Sequence, residues 1–126
     1  MPDGDGAGPQ GTLRASVAAG ESGHVITLSG EADMATAAQL SAPITALLAR
    51  GTRYLTIDAS ELGFADSMSI RILVLAARTL KERGGGLVLV RPQPAVARIL
   101  ELMGADQVIT IRGEAHGEPE SGAKAR

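Results

Sequence analysis

The apolar residues of this 126-residue chain first leave a two-residue spacing close to residue 30, and that change constrains its fold more than any other feature. Ahead of it the period is two. Leu13, Ala15 and Val17 alternate with Arg14 and Ser16 across Leu13 to Ala18, as in a half-buried strand. Glu21-Ser22-Gly23 supplies a turn, and His24 to Ser29, with Val25, Ile26 and Leu28, runs back. The two runs predict a hairpin. Gly30-Glu31-Ala32-Asp33 then reads as a loop.

Beyond that loop, helical and strand patterns alternate. Thr36 and Gln39 have the spacing of a capping box, and Leu40, Ile44, Leu47 and Leu48 follow on one helical face, with Gly51 as a stop. Pro43 removes one backbone bond and is expected to kink this helix or shift its start. Arg53 to Asp58 reads as a third strand and Ser67 to Glu82 as a largely buried helix, halted by Gly84-Gly85-Gly86. Leu87 to Val90 is a continuous apolar run, which predicts a strand covered on both faces. Val96, Ile99, Leu100 and Met103 mark a short helix ended by Gly104, and Gln107 to Ile111 a last strand.

The order is β-β-α-β-α-β-α-β, an α/β fold with a central, mainly parallel sheet, an N-terminal hairpin and helices packed on the sheet. In open sheets of this kind, ligands and partners gather beyond the carboxyl ends of the strands. Two connections qualify: Gly30 to Ala35 and Ser60 to Ser67.

Composition removes whole classes of function. Residues 1–11 and 113–126 are rich in Gly, Pro and polar side chains and read as disordered tails around one domain, residues 12–112. Asp3-Gly4-Asp5-Gly6 has the start of a calcium loop without its later ligands. Within 12–112, ten basic and nine acidic residues are spread along the chain, and the whole has one Tyr, one Phe and no Trp. A nucleic-acid surface needs a one-sided basic field and aromatic faces for stacking, so nucleic acid is excluded as a partner. The absence of Cys excludes disulfides and thiolate metal sites. The longest apolar run, Ile72 to Ala77, is too short for membrane insertion, and the first residues lack a secretory pattern, so a cytoplasmic location is expected.

The segment Phe64-Ala65-Asp66-Ser67-Met68-Ser69 carries the most chemical information. Ser67 is placed to cap the following helix, and the same helix start, with free N–H groups, is a ready anion site. Met68 either lies exposed as an adaptable contact or tucks beside Ile72 one turn on.

Gly30-Glu31-Ala32-Asp33 with Ala35-Thr36-Ala37, then Leu55 to Ser60, Leu62, Phe64, Asp66-Ser67 and Pro92 to Gly104, together resemble a STAS domain of the anti-sigma factor antagonist family. The similarity spans roughly residues 13–111. It implies a binding module that engages an anti-sigma factor with kinase activity, releases a sigma factor and so regulates transcription. In that family the kinase switches binding off by phosphorylating a Ser or Thr at the start of the second helix, within a pattern Asp-Ser, Ser or Thr, Gly-Leu-Gly. Here Asp66 and Ser67 match, Met68 occupies the phosphoacceptor position, and Ser69 and Arg71 replace the glycines. A thioether accepts no phosphoryl group, so the resemblance implies an antagonist without the usual switch; Ser67 and Ser69 are the substitute acceptors. The partner-binding residues it points to are Asp33, Asp66, Ser67, Met68, Ser69 and Arg71.

Catalysis by the domain has little to stand on. His24 begins an early strand and His116 lies in a tail, so no serine has an evident general base, and neither histidine has metal-ligand spacing. The glycine run at 84–86 precedes a strand instead of following one, which makes it a helix stop and not a phosphate cradle. A phospho-aspartate receiver would want a basic residue late in the sheet, and Gln107 to Ile111 has none. No cofactor and no metal are expected. A second copy of the chain is a further candidate partner. The competing function is a STAS accessory subunit of a membrane transporter or of a multi-protein stress-signalling assembly.

Overall fold

A computed structural model of the protein describes residues 12–113. Both tail expectations therefore lie outside the described residues, apart from Gly113. Strands β1 (Leu13–Ala19), β2 (His24–Ala32), β3 (Tyr54–Ala65), β4 (Gly86–Val90) and β5 (Thr110–Arg112) form one sheet in that spatial order. β1 pairs antiparallel with β2, and every later neighbour is parallel. Helices α1 (Ala37–Ala49), α2 (Ser67–Glu82) and α3 (Pro94–Leu102) form the crossovers, and 3-10 turns occupy Met34–Thr36 and Ala105–Gln107. The predicted element order and the mixed sheet with its hairpin are as expected.

The core lies on one face of the sheet. Ile26, Leu28, Leu55, Ile57 and Leu89 point into a single apolar cluster with Leu40, Leu47, Ile70, Leu73, Leu80, Val96 and Leu100 from the helices. Val25, Thr27, Thr56, Val88 and Val90 occupy the alternate positions and are only half-buried. β4 is therefore covered on one face, not two: its apolar run hides a two-residue alternation of burial. Valine fits the outer positions because a β-branched side chain packs well on a half-exposed pleat.

Glycine ends all three helices. Gly84 follows the last residues of α2 with φ 85°, its N–H bonds the Lys81 carbonyl at 3.0 Å, and the Gly85 N–H bonds that of Leu80 at 2.8 Å. That is a Schellman closure, and Gly51 after α1 repeats it with the Thr52 N–H on Leu47. Gly104 (φ 70°) stops α3. α1 runs through Pro43 as one helix.

Several boundaries move. β2 extends through the first half of one expected loop and β3 through most of the other, because parallel pairing continues to Ala32 opposite Ala65 despite two register shifts. The expected strand Gln107–Ile111 begins three residues late, since Ala105–Gln107 is taken by a 3-10 turn. The Thr36–Gln39 capping box does not form. The box sits one turn earlier, between Asp33 and Thr36, because the buried Thr36 hydroxyl is committed to the Asp33 N–H and the Glu31 carbonyl.

At the end of β4, Arg91 is the only non-glycine residue with positive φ among those described, 55°. It is held by a bond from its N–H to the Arg112 carbonyl at 2.8 Å and by an ion pair with Asp58 on β3. Burial by itself would raise the Asp58 carboxyl, but bonds from the Ser60 N–H and hydroxyl and the Arg91 guanidinium outweigh it, leaving Asp58 below its ordinary range. A carboxyl lowered on folding stabilises the fold above its unfolded pKa and loses that contribution as pH falls through its folded one. Asp58→Asn is expected to cost about 1 kcal/mol at neutral pH, since Arg91 is half exposed and screened. The difference from wild type should vanish in acid, read from urea unfolding at each pH.

A side chain at Gly85 would place its Cβ 1.6 Å from the Arg53 carbonyl oxygen, whereas one at Gly86 would meet nothing within 4 Å. Gly85→Ala is therefore expected to lose roughly 2 kcal/mol or more, and Gly86→Ala far less, by thermal or urea unfolding.

Candidate partner-binding face

β2 and β3 deliver two helix starts side by side. Ala32 and Ala65 are their last paired residues, and Asp33 and Asp66 follow directly. The Asp66 N–H bonds the Ala32 carbonyl at 3.0 Å and ties the two connections together. Each aspartate is a cap. Asp33 Oδ1 accepts from the Thr36 N–H at 3.1 Å, and Asp66 Oδ1 from the Ser69 N–H at 2.8 Å. Asp66, not Ser67, is thus the N-cap of α2. Its extended backbone and short carboxylate satisfy a free helical donor, and its charge complements the positive helix end.

With Asp66 as cap, Ser67, Met68 and Ser69 become the first three helical residues. Ser67 is exposed at the first. Met68 is 49% exposed at the second, so it does not tuck into the core. Ser69 is 1% exposed, and its hydroxyl has no hydrogen-bond partner among the described residues. Arg71 lies exposed one turn on. Ser67, Met68, Arg71, Val74 and Met103 line a shallow hollow of about 290 Å³ between α2 and the end of α3.

Apolar side chains ring this region. Met34, 78% exposed, follows Asp33, and Phe64, 49% exposed, stands beside Glu31 two residues ahead of Asp66. Leu102 and Met103 close α3, both exposed. Met34, Phe64, Leu102 and Met103 were absent from the predicted site. Phe64 could have been found: it precedes buried Ala65 in the last stretch of β3, where a large apolar residue adjacent to an inward one must face solvent.

Of the predicted site residues, Asp33, Asp66, Ser67, Met68 and Arg71 gather at or next to the two helix starts, while Ser69 faces the core. His24 lies at the amino end of β2, its Nδ1 3.1 Å from the Thr52 hydroxyl. Among the described residues no group of three or more His, Asp or Glu could hold a metal ion. No described helix is long and apolar enough to cross a membrane. The arrangement suits contact with a macromolecule: two neighbouring, rigidly capped helix starts bearing exposed thioether, phenyl and guanidinium groups.

The parallel strand order places this face beyond the carboxyl ends of β2 and β3. The family described as Mlab, STAS domain, matches residues 15–111, and the chain belongs to the STAS domain family. It is 31% identical over 80 residues to BtrV of Bordetella bronchiseptica, a candidate anti-sigma factor antagonist by its name, covering 64% of this chain and 69% of that one. The crystal structure of an anti-sigma factor antagonist from Mycobacterium paratuberculosis is 30% identical, with a TM-score of 0.73 over 80% of this chain and 86% of that one. SpoIIAA in its unphosphorylated form shares the fold at 22% identity, with a TM-score of 0.67 over 81% of this chain and 90% of that one.

Asp66 and Ser69 at the α2 start separate by measurement. Asp66→Ala removes a cap and is expected to lower stability by about 1 kcal/mol. Ser69→Ala removes an unpaired buried hydroxyl and should leave the melting temperature unchanged or raise it. A large loss in Ser69→Ala would show that the hydroxyl has a partner.

Proposed function

We propose that this chain is a cytoplasmic anti-sigma factor antagonist, which binds an anti-sigma factor of the serine-kinase type and so frees a sigma factor for transcription. It acts by occupancy, without turnover of its own. The observation that carries the reading is the capped start of α2 with Met68 half exposed upon it. The names of the relatives at 31% and 30% identity support it.

On this reading the face divides its labour. Asp33 and Asp66 fix the two helix starts, and their carboxylates are largely spent on backbone N–H groups. Ser69 fills space beneath them. Ser67, Met68 and Arg71 reach the partner, with Phe64 and Met34 at the margin. Met68 and Phe64 are each about half exposed, and covering that half is worth roughly 1 kcal/mol apiece, enough to make them the anchors. The Arg71 charge selects among partners.

Met68 also sets the regulation. A phosphate on a hydroxyl at this position would bring nearly two negative charges into an apolar contact. A thioether cannot carry one, and the Ser69 hydroxyl is buried, which leaves Ser67 as the accessible acceptor. The antagonist is accordingly unswitched at the usual place, and its binding persists in the presence of ATP.

A pull-down from native lysate with the full chain, followed by intact-mass measurement, tests this. The expected catch is an ATP-binding anti-sigma factor, and the chain's mass should not change after incubation with it and ATP. Met68→Glu, which suits a helix start and should not disturb folding, is expected to weaken that binding more than tenfold. Stoichiometric phosphorylation would overturn the unswitched reading. Recovery of a transporter ATPase subunit in place of an anti-sigma factor would overturn the assignment itself.

A further inference from the structure

The sheet has two edges, β5 with three residues and β1 with seven. The Glu31 N–H bonds the Thr12 carbonyl and the Gly20 N–H bonds the Gly23 carbonyl, each at 2.8 Å, on the register that sets Leu13 opposite Gly30 and Ala19 opposite His24. Bonded and non-bonded pairs alternate along an antiparallel ladder. Arg14, Ser16 and Ala18 therefore spend their backbone groups on β2, while Leu13, Ala15, Val17 and Ala19 aim theirs outward. Among the described residues no strand receives them.

Natural edge strands are usually guarded by lysine, proline or a bulge. β1 has none of these, and its one charge is Arg14. Val17 is 46% exposed. Beside the strand, α1 packs on β1 and has no charged residue from Ala37 to Ala49, although Ala38, Ala42, Thr45, Ala46 and Ala49 are exposed. A surface helix that stays in water normally shows a charged face. An unguarded edge and an uncharged helix thus adjoin on one flank.

We propose that a second copy of this chain pairs antiparallel along β1, about a two-fold axis through Ser16. Outward groups lie on odd-numbered residues, so self-pairing must set odd opposite odd. Centring on Ser16 does so for all four, joining Leu13 to Ala19 and Ala15 to Val17 in both directions. The same register sets Arg14 of each copy against Ala18 of the other, so the two guanidinium groups do not face each other. The seam of seven residues falls short of the roughly 1,200 Å² of a stable interface, and the uncharged face of α1 supplies the remainder. The contact is isologous and closes as a dimer. It leaves the α2 start free and does not depend on the function proposed above.

Sedimentation equilibrium of the full chain is expected to give twice the 12.9 kDa monomer mass. Val17→Lys should return it to monomer mass with an unchanged circular dichroism spectrum. The register has its own test, because the chain has no cysteine. Ser16→Cys would face its counterpart across a non-hydrogen-bonded pair, Cα atoms about 4.5 Å apart and within disulfide range. Mild oxidation should link it into a covalent dimer, and Ser22→Cys should not link. A wild-type chain that stays monomeric overturns the proposal. So does a dimer that Val17→Lys leaves intact and Ser16→Cys fails to trap. A monomer whose Val17 amide exchanges slowly would place a segment of the same chain on the edge, and would equally overturn it.

Discussion

Parallel pairing of β2 with β3, carried as far as Ala32 opposite Ala65 and sealed by the Asp66 N–H on the Ala32 carbonyl, is the constraint from which the candidate face follows. Two strands that end level must release their helices level. The residues that come next, Asp33 and Asp66, then meet the same demand, a free backbone donor at a helix start, and both meet it with a carboxylate. Neither cap would sit beside the other if the ladder stopped at Asp58, where the strand signal in the sequence fades.

The aspartates thereby become structural, and on the proposed function the neighbouring side chains supply the contact surface. A carboxylate already accepting a backbone N–H has less to offer a partner than its charge suggests, and a change at either position acts first on the helix. Met68 is different. It is held by a rigid turn, takes no part in capping, and projects beside a hollow closed by Met103. A substitution at Met68 therefore tests the proposed contact without first disturbing the helix, as one at Asp66 would.

Much of the fold was legible from residue spacing alone, because helices and strands impose different periods on a core-facing chain. The hairpin, three crossovers and three glycine stops all followed. What was lost were the places where pairing between strands outweighs local preference. Gly30 to Ala32 and Ser60 to Ala65 look like loops by composition but are strand because each supplies the other's ladder. The continuous apolar run in β4 masked a one-sided burial that no local pattern reveals. In the site, Asp66 and not Ser67 is the cap, and the core-facing stripe of α2 through Ile70, Leu73, Ala77 and Leu80 turns Ser69 inward and leaves Met68 outward.

All three methionines among the described residues, Met34, Met68 and Met103, are at the surface on or beside the candidate face. Sulfur is the atom there most readily attacked by peroxide, and the sulfoxide it yields is polar and chiral where the thioether was soft and greasy. A face anchored this way has a chemical vulnerability that a hydroxyl-based one lacks. On the proposed function, oxidation of Met68 would weaken partner binding, and sulfoxide reduction would restore it.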